Sequence, residues 1–228
     1  MAKLGIITGS KLEATCLKHC DPATELDIHC SGALAERANV AARTSVAAGC
    51  EGLVSFGLAG GLDPALPSGS LVVADAVICA DGSKIQTDRS WVDGISRTFE
   101  KSQIPFVTGE ALGLDEIAFL PETKRSLFSG TGALCVDMES HAVIRAASFE
   151  AIPFIALRVV ADTASDEIPR AASRALGADG GVQVGSLVFA LAKRPADIAG
   201  LLKLRKLSAV GFETLRRVAP LLSFCRAF

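Results

Sequence analysis

The sequence predicts an α/β layer sandwich in which a mostly parallel or mixed central sheet is flanked by helices. Two observations carry this expectation. Short runs rich in Val and Ile alternate with stretches of helical pattern. The runs are also nearly continuously apolar, as strands buried on both faces must be. With 228 residues, 50% of them hydrophobic, the chain has apolar material for one large domain with a sizeable core.

Taken in order, residues 4–8 read as the first strand, followed by Gly9, Ser10 and a helical pattern over 12–20. A second strand at 25–30 precedes a helix over 33–49. Strands follow at 52–56, 71–80 and 105–109. A run at 134–137 passes into a helix over 139–150, and the last strand occupies 153–162. Ligands in such folds sit beyond the carboxyl ends of the strands. Four clusters stand there: residues 9–13, 57–62, 138–141 and 162–165.

The net charge of −2 is a cancellation. From residue 193 onward eight basic residues face only Asp197 and Glu213, a balance of +6; the body before it holds 15 basic and 23 acidic residues, a balance of −8. A generally basic nucleic-acid binder is therefore disfavoured. Mean hydropathy is high at +0.39, yet the charge-free stretch 180–192 has 13 residues, short of the roughly 20 a membrane helix needs. The first residues lack a signal-peptide pattern. Seven cysteines without CxxC spacing suggest a reducing, cytoplasmic location. Cys16, His19 and Cys20 could share a helical face, but a zinc ion wants four convergent ligands, so no metal site is expected.

In the second cluster, Gly57, Leu58, Ala59, Gly60 and Gly61 would let backbone N–H groups approach a ligand closely, or would simply form a tight turn. Met138, Glu139 and His141 stand where a strand becomes a helix. Glu139 there is either an electrostatic cap or a carboxylate that accepts two hydrogen bonds from the vicinal hydroxyls of a sugar. Asp162 ends the apolar strand and reads either as a turn cap or as a general acid in a partly desolvated cleft. Arg158, inside that strand, requires a buried carboxylate partner.

The ordered segments LGIITGSKLEA, VSFGLAGGLDPALPSGSLVVAD, ALCVDMESHAV and PFIALRVVADTAS resemble the nucleoside phosphorylase superfamily, particularly its methylthioadenosine/adenosylhomocysteine and futalosine nucleosidase branches. The resemblance spans residues 1–192 and implies a catalytic domain there, with a basic helical extension at 193–228. The finer pattern, with MESHA and the later AKRPADIAGLLKLRK, is similar to the hopanoid-associated phosphorylases, which are linked to removing adenine from adenosylhopane.

What the resemblance implies is N-glycosidic cleavage of an adenosyl nucleoside without metal or organic cofactor. Asp162 matches the acid that protonates the departing purine, and Glu139 the carboxylate that holds the ribose hydroxyls. Met138 matches the residue packed on the sugar. Glu13 falls on the position that orients and deprotonates the attacking water, and residues 57–61 on the loop near the nucleophile. Ile117 and Phe119 are candidates for stacking on the base. His141 faces the sugar's 5′ side or is a satisfied helix histidine.

Three positions depart from the family pattern. Ala161 replaces a hydroxyl residue before the acid, Leu58 stands where hydrolases often carry a polar residue, and Ser55 replaces an Arg that many phosphorylases use for phosphate. Hydrolysis is accordingly expected over phosphorolysis. Gly9, Ser10, Lys11, Ser31 and Gly32 form the alternative anion site that would keep phosphate as a co-substrate. A non-catalytic nucleoside-binding protein would have no need of a general acid. The superfamily also implies a homo-oligomer. The basic tail, with Phe212, Leu215, Val218 or Ala219, and Leu222 on one helical face, is expected to cap the domain, to meet a second copy, or to touch the inner membrane surface.

Overall fold

The computed structural model describes residues 3–20, 25–174, 177, 180–181 and 197–226. Eight strands and six α-helices alternate along them: β1 (Lys3–Thr8), α1 (Lys11–Cys16), β2 (Glu25–Cys30), α2 (Ala35–Ala47), β3 (Gly52–Gly61), β4 (Leu71–Cys79), β5 (Lys84–Gln86), α3 (Arg89–Lys101), β6 (Val107–Gly113), α4 (Pro121–Thr131), β7 (Cys135–Asp137), α5 (Ser140–Phe149), β8 (Phe154–Asp162) and α6 (Asp197–Val218). Short 3₁₀ turns follow α1, precede α6 and extend α6 to Arg226.

The sheet is mixed and flanked by helices, as expected. Strand β3 pairs in parallel with β1 and β8, while β8 pairs antiparallel with β4. β4 continues in parallel to β6, β6 to β7, and β7 returns antiparallel to the tip of β3. The central strands therefore close a ring, so β8 has no free edge and all nine of its residues are buried.

Alternate side chains of these strands feed two cores. On one face Phe56, Val73 and Leu157 meet Trp91, Ile95 and Phe99 of α3 and Leu215 and Val218 of α6. On the other, Ile7, Leu53, Val72 and Ala156 meet small residues of α2 and α5, whose many alanines bring those helices close. Leu215, Val218, Ala219 and Leu222 are all completely buried, so the C-terminal helix covers the sheet along the stripe its sequence shows. Lys193, Arg194 and Pro195 lie outside the described residues.

Two differences from the sequence reading bear on the site. Residues 57–61 are not a loop but the second half of β3, held by pairing with β8 and then with β7. Helices α3 and α4, unmarked by the sequence reading, have clear starts: the Asp88 side chain accepts from Trp91 N, and Pro121 occupies the first turn of α4.

Candidate active site

A cleft of about 200 Å³ opens where β1, β3, β7 and β8 end. It gathers Glu13, Asp137, Glu139 and Asp162 with the backbone of Leu58, Ala59 and Gly60. Glu116, Ile117, Met138 and Ala161 complete the parts of the wall predicted from sequence or adjoining them, and no lysine or arginine lines it among the described residues.

Glu13 is placed by its own helix. Ser10 caps α1, its hydroxyl accepting from Glu13 N, and Ser10 N donates to Glu13 Oε2 at 2.6 Å. That reciprocal capping box swings the carboxylate back toward the sheet, where Leu58 N donates to Oε1 at 2.8 Å. Glycines make the room. A Cβ on Gly57 would lie 2.6 Å from Glu13 Oε1, and one on Gly9 would lie 2.7 Å from Glu139 Oε1 and 3.3 Å from Glu13 Oε2. The two glutamates thus converge over Gly9.

Glu139 stands at the N-cap of α5 but does no capping. That work falls to Asp137, whose Oδ1 accepts from Glu139 N at 2.8 Å and Ser140 N at 2.7 Å. The Glu139 carboxylate is left for the cleft and for Arg158, 3.2 Å away. Arg158 is fully buried and pairs with Asp137 at 3.1 Å, as its place in an apolar strand required. Its N–H groups also donate to the hydroxyls of Ser55 and Ser140 and to the Leu58 carbonyl. Ser55 therefore serves as a partner of Arg158.

Three carboxylates share this one guanidinium. Burial pushes Glu139 up to about 8, the negative charges of Asp137 and Glu13 adding to the effect and Arg158 opposing it. Burial also raises Glu13, against its backbone donors and Arg158. For Arg158 burial works downward, but Asp137, Glu139 and Glu13 outweigh it and raise its pKa.

Asp162 also lines the cleft. The turn after it is held by Asp166, which accepts from Thr163 N at 2.9 Å and the Thr163 hydroxyl at 2.7 Å. Burial raises the Asp162 pKa against the pull of Lys124, whose ammonium is ion-paired to Oδ2. Lys124 escaped the sequence reading. Its signal was a lysine on the helical stripe of Leu120, Leu127 and Phe128.

Several expected residues are not brought to the cleft. Phe119 does not line it, and Ala118 and Ile168 form the wall there beside Ile117. His141 turns away to Asp115, with 3.1 Å between Nε2 and Oδ1, and packs its ring on Gly113. Gly57 lies behind the cleft, under Glu13. Of the expected anion site, Gly9 and Ser10 line the cleft, Ser10 being engaged with Glu13; Ser31 donates from both N and Oγ to the Thr8 carbonyl, Gly32 is a turn residue with φ +70°, and Lys11 is exposed and does not line the cleft. The Leu58 side chain packs toward α6, where Gly211 leaves it space, while its N–H donates to Glu13. Among the described residues no group of three or more His, Cys, Asp or Glu side chains could hold a metal ion.

Known proteins share this arrangement at the level of family and fold. The model of the family described as the phosphorylase superfamily matches residues 24–193. No curated protein matches the chain. Among solved structures, a futalosine hydrolase of Helicobacter pylori strain 26695 is 17% identical, covers 100% of this chain and 98% of its own, and superposes with a TM-score of 0.73. The 5′-methylthioadenosine/S-adenosylhomocysteine nucleosidase of Helicobacter pylori, bound to butyl-thio-DADMe-Immucillin-A, is 17% identical with coverages of 100% and 99% and a TM-score of 0.71. An S-adenosylhomocysteine nucleosidase of Streptococcus pyogenes, in complex with 5-methylthiotubericidin, is 20% identical, covers 72% and 85%, and has a TM-score of 0.66.

Proposed function

Because the chain belongs to the phosphorylase superfamily, we propose that it is an N-glycosidase that hydrolyses an adenosyl nucleoside and releases adenine. The observation that carries hydrolysis is the make-up of the cleft wall: Glu13, Asp137, Glu139, Glu116 and Asp162 line it, and no lysine or arginine does among the described residues. Such a wall offers an acid and hydrogen-bond acceptors to a dissociating nucleoside and no cationic side chain to hold phosphate. The one buried guanidinium nearby, Arg158, is committed to Asp137, Glu139, Ser55 and Ser140.

The roles follow from position. Asp162, in a cleft whose wall also includes Ile117, Ala118 and Ile168, gives its proton to the purine, which leaves poorly as an anion. Glu139 accepts from the ribose hydroxyls, with Met138 against the sugar. Glu13, oriented by Leu58 N and Ser10 N, takes the proton of the attacking water. The structures similar in fold include a futalosine hydrolase and nucleosidases in complex with butyl-thio-DADMe-Immucillin-A and 5-methylthiotubericidin, which supports this reading.

For the substrate we propose an adenosine with a large apolar 5′ group such as adenosylhopane. The cleft is small, so a triterpene must project beyond it, and Leu12 and Leu34, chain neighbours of cleft-lining Glu13 and Ala33, are exposed. Exposed Ile198 and Leu202 on α6, beside Lys203, Arg205 and Lys206, would rest on an anionic membrane surface that delivers such a lipid. No described helix is long and apolar enough to cross a membrane. A cytoplasmic homo-oligomer is part of the same proposal.

Purified protein is incubated with adenosylhopane, methylthioadenosine and inosine, each with and without phosphate. Adenine from the adenosyl compounds without phosphate is expected. Release of no base from any of them refutes the enzyme reading, and a phosphate requirement refutes hydrolysis. Vesicle binding is tested with the Ile198→Ser/Leu202→Ser double variant, since removing the whole tail would strip Leu215 and Val218 from the core. Equal binding by wild type and variant removes the membrane contact.

A further inference from the structure

Lys124 is completely buried, although lysines are seldom found inside unless paired. Its ammonium has three acceptors: Asp162 Oδ2, the Thr163 carbonyl at 2.8 Å and the Asp166 carbonyl at 2.9 Å. Three N–H bonds meet three oxygens, so the direction of the ammonium is fixed by α4 on one side and the segment after β8 on the other. Ala161 offers no hydroxyl that could orient the neighbouring Asp162.

The other charged groups about Asp162 are acidic or already engaged. Asp166 follows it in the chain and is paired at 2.5 Å by Lys203 of α6. Glu13, Glu116, Asp137 and Glu139 share the cleft with it, Asp137 and Glu139 being paired with Arg158. Among the described residues, Lys124 is the one cation in direct contact with Asp162.

We propose that Lys124 is a positioning residue for Asp162: it binds Oδ2, leaves the other carboxyl oxygen to the cleft, and neutralises the carboxylate that remains once the proton has passed to the base. The inference rests on the nucleosidase reading. In the step it serves, the Asp162 O–H bond breaks and an N–H bond forms on the purine. The glycosidic electron pair moves into the base, and water bonds to the sugar carbon as its proton goes to Glu13. Without Lys124 the new carboxylate would sit in a buried, acid-lined cleft with no counter-charge, and Asp162 would be a weaker acid.

The test uses Lys124→Met and Lys124→Gln in the full chain. For adenine release, kcat is expected to fall about 10- to 100-fold while KM changes by less than about threefold. The limb of kcat/KM that falls as Asp162 loses its proton is expected to move to higher pH by about one unit or more. In an Asp162→Asn background, Lys124→Met is expected to lower kcat no further. The carboxyl ¹³C resonance of Asp162 provides a readout independent of turnover, and its titration should move up in both variants. If the wild type releases no base, the nucleosidase reading fails while the carboxyl titration still decides the pairing. An unmoved titration and pH limb, or an additive loss in the Asp162→Asn background, overturns the proposal. So does a variant that melts lower but keeps wild-type kcat, since that marks a lysine needed only for stability. Should the methionine variant not fold, the glutamine variant carries the same readouts.

Discussion

Gly57→Ala changes one methyl group behind the cleft, at a position without the positive φ that would strain an alanine. The effect must therefore come from space. The added Cβ would lie 2.6 Å from Glu13 Oε1, 2.8 Å from its Cδ and 3.0 Å from Arg158 Nη1, whereas ordinary contact begins at 3.4 Å. The carboxylate must then retreat by up to about 0.8 Å, which would stretch the 2.8 Å bond from Leu58 N to about 3.6 Å and break it. A displacement of this order at a catalytic group costs about 100-fold in rate, or about 2.7 kcal/mol of barrier. Crowding of a packed site adds about 1–3 kcal/mol of destabilisation. The assay is adenine release under single-turnover conditions, with a thermal melt to establish that the variant is folded. A folded Gly57→Ala protein within about twofold of wild-type rate would show that Glu13 does not act from where β3 holds it.

Other outcomes follow from the same cluster. Gly9→Ala, whose Cβ would crowd Glu139 Oε1 first, should chiefly weaken nucleoside binding, read as a raised KM. Glu139 keeps its proton in the folded chain up to about pH 8, but an unfolded chain releases it near 4.5. The folded state therefore binds more protons over that window, and stability should fall as pH rises through it. Glu13 and Asp162 are raised in the same sense. Thermal melts between pH 5 and pH 8.5 check this, and Glu139→Gln should flatten the slope; a slope unchanged in that variant would refute the assignment. Arg158→Met leaves Asp137 and Glu139 buried without their cation, and urea unfolding should show a loss of about 3–5 kcal/mol. A loss under about 1 kcal/mol would mean that the carboxylates are satisfied without it.

The sites at which side chains converge were legible because parallel strands place their carboxyl ends together, so Gly9–Glu13, Met138–Glu139 and Asp162 could be read one by one along the chain. Their roles were not. Either capping or chemistry suits Glu139 and Asp162 from local sequence, and only the structure shows Asp137 and Asp166 taking the capping hydrogen bonds. Phe119 does not reach the cleft, and of the two readings of His141 the structure takes the helix histidine bonded to Asp115, because nearness in sequence to a cleft residue does not say which way a side chain faces. Residues 57–61 looked like a loop because their glycines are poor strand formers; two partner strands override that preference.

By itself the sequence determined the layered α/β class, the strands and helices that carry the predicted clusters, the need of Arg158 for a buried acid, and the apolar face of the last helix. These depend on local periodicity and on the cost of burying a charge, both of which act within a few residues. Tertiary structure alone decided that Glu13 meets the Leu58 N–H across 45 residues and that Lys124 meets Asp162 across 38. It also placed α6 beside Leu58 and Asp166. Those pairings come from ring closure of the sheet and the packing of α4 and α6 against it. No spacing along the chain records such contacts, because the low-dielectric environment that gives them their strength exists only once the layers have closed.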